Sequence, residues 1–279
     1  MLATRILTAV VLIGVVLAAM FLLPPLAWGA VTLALIAVAA AEWADLAGFR
    51  RETWWIFVAG TLLIGGNLLF SPFAGFDAGW PTGIVLSVCG VATVFWLLVA
   101  PPWLASGWKA TSALPLAVAG WIVLIGAWVA IVQLQAYSPG LVLAAMAIVW
   151  IADTAAYFTG RAFGRRKLAP QVSPGKTWEG VYGGLAAVAL YALALVPLAT
   201  EGRFAGTVSP LSVVVWVAGA LALAALSVVG DLCESLLKRQ AGVKDSGRLL
   251  PGHGGVLDRI DALLAAMPPA ALLALAFLR

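Results

Sequence analysis

Hydrophobic and polar positions are segregated along this chain into long uncharged runs and short charged connections. The first run, Ile6 to Ala41, is broken at Pro24 and Pro25 and reads as two segments joined by a tight turn. Residues 53–72 and 82–100 supply two more. The uncharged stretch from Ser112 to Ala152 is divided by QAYSPG at 135–140 into a fifth and a sixth, and residues 180–199, 209–230 and 262–278 complete the set. Each run is close to the roughly 20 residues that cross a hydrocarbon layer as a helix. In lipid a lone segment must satisfy its own backbone hydrogen bonds, so each is predicted to be helical. The expected fold is all-α: one polytopic membrane domain over residues 1–279 with about nine transmembrane helices.

Composition leaves no room for another class. The chain is 63% hydrophobic and 10% charged, with a mean hydropathy of +1.07, and no stretch of it reads as a soluble domain. Cys89 and Cys233 are too few for a disulfide framework and read as reduced packing residues. Trp28, Trp54, Trp55, Trp80, Trp103, Trp108 and Trp178 fall at span ends, where interfacial anchoring is expected.

Loop charge tests the span count independently. With a cytoplasmic N-terminus and a reversal at every span, only Arg203 and Arg279 of the 16 basic residues fall outside. That asymmetry is what the positive-inside rule demands, and a miscounted central helix would scramble it. The expectation is a cell (inner) membrane protein, N-terminus in and C-terminus out. Arg5 before an apolar run and AWGA at 27–30 also fit a signal peptide, an alternative that the length of the run and the second span directly after it disfavour.

Two of the inside connections carry candidate chemistry, residues 153–179 and 231–261. The first contains GKT at 175–177, but a phosphate loop needs glycine where Pro170 stands, and no strand is expected before it. What survives is a cluster of Ser173, the Gly175 backbone, Lys176 and Thr177 ahead of a helix starting near Trp178, whose free N–H groups and dipole favour an anion. Arg165, Arg166 and Lys167 read as topology determinants that touch anionic lipid head groups. In the second connection Asp231, Ser235 and Lys238 share a face at i, i+4 and i+7 if the eighth helix continues past its apolar run. Beyond the PGHGG turn, Asp258 and Asp261 share a face at i, i+3. One carboxylate at a membrane boundary is explained by pairing with Lys238, Arg239 or Arg259. Three converging there point to Mg²⁺, which is held by a few carboxylates plus substrate phosphates. His253, alone between glycines, either caps the turn or takes part in the reaction.

From Ser235 the chain reads S-L-L-K-R, four residues, then K-D-S-G-R-L-L-P-G-H-G-G-V-L-D-R-I-D. This resembles without a break the signature of the phosphatidate cytidylyltransferase (CDP-diacylglycerol synthase) family. ADTAAYFTGRAFG and KLAPQVSPGKTWEG resemble the family's other cytoplasmic motif, with Ala155 where glycine is frequent. The motifs cover about a quarter of the chain. The resemblance implies reaction of CTP with phosphatidate to give CDP-diacylglycerol and pyrophosphate at the cytoplasmic membrane interface. It implies a divalent metal on Asp231, Asp258 and Asp261, Mg²⁺ in one or two copies, with an assisting monovalent cation such as K⁺ left open. It also implies phosphate contacts from Lys238, Arg239, Lys244 and Arg259, and a cradle of Ser173, Lys176 and Thr177. Ser235, Asp245 and His253 complete the implied substrate-binding set. Membrane lipids are the surroundings, no nucleic-acid partner is expected, and a homodimer stays open. A transporter would place its polar residues at the midplane, and an enzyme that consumes the liponucleotide would need a DGxxAR-type motif, which is absent.

Overall fold

A computed structural model describes residues 2–70, 79–201, 209–249, 252 and 254–277. Its helices are α1 (Leu2–Leu22), α2 (Pro25–Leu46), α3 (Arg51–Leu69), α4 (Thr82–Val94), α5 (Ala100–Ser106), α6 (Ala113–Tyr137), α7 (Pro139–Phe163), α8 (Trp178–Glu201), α9 (Pro210–Ala241) and α10 (Leu257–Phe277). A π-helical turn, Phe95–Val99, joins α4 to α5, so that Thr82–Ser106 is one 25-residue rod. Among the described residues eight helices are long and apolar enough to cross a membrane, and a shorter apolar helix spans Ile13–Leu22. The nine apolar runs read from the sequence thus coincide with helices.

The boundaries differ where charge ends an apolar run without ending a helix. The sixth span, expected to stop at Ala152, continues through Asp153 and Arg161 to Phe163. The eighth continues from Gly230 to Ala241 and closes on Gly242, in the left-handed conformation at φ +72°. At about 1.5 Å per residue its 32 residues measure roughly 48 Å, well beyond a hydrocarbon layer of about 30 Å. The ninth begins at Leu257 rather than at 262. About half of each expected connection, 153–179 and 231–261, is therefore helical.

The fold is also not wholly α. Lys167–Ala169 (β1) and Ser173–Thr177 (β2) form an antiparallel hairpin that pairs Lys167 with Thr177 and Ala169 with Ser173. GKT thus lies on a strand instead of following an irregular loop.

Long-range contacts centre on α6, whose Val123, Leu124, Ala127, Trp128, Val129 and Ala130 are fully buried, and on the pairs α7–α8 and α9–α10. Both pairs depend on glycine. A Cβ on Gly180 or Gly184 of α8 would stand 2.8 Å from the Ala156 or Ala152 carbonyl of α7, and one on Gly230 of α9 would stand 3.0 Å from Ala265 of α10. Three of the tryptophans expected at the interface, Trp28, Trp80 and Trp103, are buried instead. The indole N–H groups of Trp80 and Trp103 donate to the Leu68 and Trp108 carbonyls, which lets these large side chains serve as core. Trp55, Trp108 and Trp178 remain exposed. Cys89 and Cys233 are both buried and free, as read from the sequence.

Candidate active site

The polar residues gather at one end of the bundle, where α2, α5, α7 and α9 finish and α6, α8 and α10 begin. Hydrogen bonds tie these ends together. Trp43 donates to the Leu116 carbonyl, linking α2 to α6. Gln240 donates to the carbonyls of Gly107 and Trp108, linking α9 to the end of α5. Arg239 Nε donates to the Val172 carbonyl, 3.3 Å away, which holds the hairpin turn against α9.

Because α9 runs on through the charged segment, Asp231, Ser235 and Lys238 do share a face. Ser235 donates to Asp231 Oδ1 at 3.3 Å. From β2, Lys176 reaches across to Asp231 Oδ2 at 2.6 Å. Gly230 brings α9 against α10 at Asp261, and the charges of Asp231, Lys238 and Lys176 all act on Asp261. Asp153 of α7 lies in the field of Lys176 and Asp231. Asp153, Lys176, Asp231 and Asp261 therefore form one group, supplied by α7, β2, α9 and α10.

Asp258 stands apart from that group. Its Oδ1 accepts from Lys238 Nζ at 2.6 Å, and its Oδ2 accepts from the backbone N–H groups of Ser246 and Gly255 at 2.9 and 2.8 Å. Lys238 is also paired with Glu234, a buried residue one turn back on α9. Asp258 thus anchors Ser246 and Gly255 while Lys238 neutralises it. The three aspartates read from the sequence do not present three unengaged carboxylates to one ion, and among the described residues no three His, Cys, Asp or Glu side chains are arranged to hold a metal. Asp231 and Asp261 are the two carboxylates that meet at the site, Asp231 engaged by Ser235 and Lys176 and Asp261 accepting from the Ala262 N–H, so a hard cation held there would displace Lys176 and take its remaining oxygens from a substrate phosphate. Asp258 does not fit that role in this arrangement.

The other predicted residues are distributed unevenly. Thr177 is buried, and its hydroxyl accepts from the Gly180 N–H at 3.2 Å, capping α8. The Trp178 N–H donates to the Arg166 carbonyl at 2.9 Å. Two of the first N–H groups of α8, expected to be free for a phosphate, are therefore already satisfied. Ser173 is half-buried on β2, whereas Lys244, Asp245 and Arg259 are exposed at the rim. His253 lies outside the described residues. Glu179 accepts from the backbone N–H groups of Arg165 and Arg166 at 3.0 and 3.1 Å and pairs with the Arg166 guanidinium at 3.5 Å.

Sequence reasoning missed Glu234 and Glu42. Glu42, near the end of α2, is buried and accepts from the Val256 and Leu257 N–H groups at 3.0 and 2.7 Å. Its signal was available: one of very few acidic residues inside a hydrophobic run, AAAEWADL, where an unpaired carboxylate is costly.

Comparison with known proteins identifies the family. The cytidylyltransferase family matches residues 3–277. The phosphatidate cytidylyltransferase of Pseudomonas aeruginosa is 41% identical over 96% of this chain and 95% of its own length. That of Haemophilus influenzae is 37% identical over 96% of both chains. The uncharacterized protein YnbB of Escherichia coli is 36% identical over 79% of this chain and 69% of its own. With a family match from end to end and relatives of this similarity across its whole length, the chain belongs to the cytidylyltransferase family and is a membrane-embedded nucleotidyltransferase.

Proposed function

We propose that this protein transfers the cytidylyl group of CTP to phosphatidate, giving CDP-diacylglycerol and pyrophosphate, at the cytoplasmic face of a cell membrane. A phosphatidate oxygen forms the new bond to the α-phosphorus of CTP as the bond to the departing pyrophosphate breaks. Both reactants are polyanions, so the work of the site is to cancel charge and to align the reacting atoms. The observation that carries this reading is the juxtaposition of Lys176 with Asp231 and Asp261 at one end of a bundle of apolar helices. Lys176 would leave Asp231 for a substrate phosphate when a divalent cation takes its place. Asp231 and Asp261 would hold that cation, with Asp153 as a third oxygen source, and when bound it would neutralise phosphate charge. Arg239, Lys244 and Arg259 supply positive potential at the rim, where nucleotide and head group arrive from water. Lys238, committed to Asp258 and Glu234, supports the site instead of touching substrate.

The test is direct. Purified protein in mixed micelles with phosphatidate, CTP and Mg²⁺ should release pyrophosphate and CDP-lipid in equal amounts, and neither without phosphatidate. Pyrophosphate release without lipid would show a nucleotide hydrolase and overturn the proposal.

A further inference from the structure

The carboxylate of Glu42 is enclosed by a part of the chain more than 200 residues away, at sequence separations of 204 to 215. Oε1 accepts from the Val256 N–H, and Oε2 accepts from the Leu257 N–H at 2.7 Å and lies 3.0 Å from the Ser246 hydroxyl. Leu257 opens α10, so this charge sits on the positive end of that helix, where an anion stabilises otherwise unpaired N–H groups. The cradle is shaped for it. A Cβ added to Gly247 would stand 2.9 Å from the Glu42 carboxyl carbon, and one added to Gly255 would stand 2.6 Å from it. The Ser246 hydroxyl that faces Glu42 also lies 3.0 Å from Asp258 Oδ2, so the two carboxylates share one donor between them.

From this geometry we infer that Glu42 is a positioning residue: by binding the start of α10 and the Ser246 to Gly255 loop, it sets the height and rotation of α10 and hence where Asp261 meets Asp231. Glu42 touches none of the groups assigned to substrate or metal, and acts through Ser246 and the start of α10. The inference rests on the reaction proposed above for its kinetic readout and on chain accessibility for a second one.

Glu42→Gln keeps the shape and one acceptor oxygen but puts an NH₂ group against N–H donors. It is expected to insert normally, to lower kcat at least tenfold with KM for CTP changed less than threefold, and to speed trypsin cleavage at Lys244 and Arg248 several-fold. Gly247→Ala, which crowds the carboxylate from the loop side, should reproduce the same pair of changes, and Glu42→Asp should recover part of both. Wild-type kcat together with a wild-type cleavage rate in Glu42→Gln and Gly247→Ala would overturn the inference. So would loss of active protein with normal kcat per folded molecule, which is what a purely structural residue gives. Should the wild-type protein fail to make CDP-lipid, the proposed reaction falls, and the cleavage rates alone then decide the role of Glu42.

Discussion

Two lysines at this site differ in what they neutralise, and the difference is measurable. Lys238 lies between the buried carboxylates Glu234 and Asp258. Removing one partner from a buried ion pair costs about 3–5 kcal/mol, because the remaining charge is left uncompensated. Lys238→Met should therefore fold poorly, and adding Glu234→Gln should restore part of the lost thermal stability in detergent. Lys176 and Asp231 are each about one quarter exposed, so that Lys176→Met should leave the melting temperature nearly unchanged while lowering turnover by about two orders of magnitude, the scale of one lost electrostatic contact in the transition state. The aspartates separate in the same way. Asp231→Asn and Asp261→Asn should cut turnover about a hundredfold and shift the Mg²⁺ requirement upward in a titration. Asp258→Asn should leave that requirement in place and loosen the Ser246 to Gly255 loop, read as faster proteolysis. An Asp258→Asn variant that needs more Mg²⁺ but keeps its loop closed would return Asp258 to the metal.

At the scale of elements, hydrophobic patterning revealed the helices and concealed their ends. The runs at 180–199 and 209–230 located α8 and α9, but an apolar run records only the part of a helix that needs lipid. Asp153 and Asp231 lie inside α7 and α9 because a charged side chain at a membrane boundary does not break backbone hydrogen bonding. The hairpin was illegible for another reason: strands of three and five residues carrying Pro174 and Gly175 have neither alternation nor β-branched composition. Of the site, Asp231, Lys238, Asp258 and Asp261 were legible from helical spacing and Lys176 from the GKT cluster, while Glu42 was visible only as an acid in an apolar run and its partners were not, since nothing local says that an acid on α2 faces the start of α10. Helix packing gives its own prediction. Gly184→Val sets a side chain against the Ala152 carbonyl, which cannot move aside, and should lower the melting temperature by several degrees. Gly175→Ala, with nothing within 4 Å of the added carbon, should leave it unchanged.

For the whole molecule, orientation is measured with introduced thiols, once the two buried native ones are replaced. In a background lacking Cys89 and Cys233, Lys244→Cys should be shielded from impermeant thiol reagents added to intact cells, and Gly140→Cys, at the opposite end of α7, should label. The reverse pattern would invert the topology and place the site outside. The described helices also leave no separate domain into which a lipid would have to be lifted. Moving hydrocarbon into water costs about 0.8 kcal/mol per CH₂, so drawing out two long acyl chains would require well over 20 kcal/mol. On the proposed reaction, α9 carries Asp231 and Lys238 past the apolar run instead of burying them at its middle, so that a phosphatidate head group would reach the reacting end while its tails stay dissolved in the bilayer. The membrane would then serve as the solvent for one substrate and water for the other, with the long helix setting the boundary at which they meet.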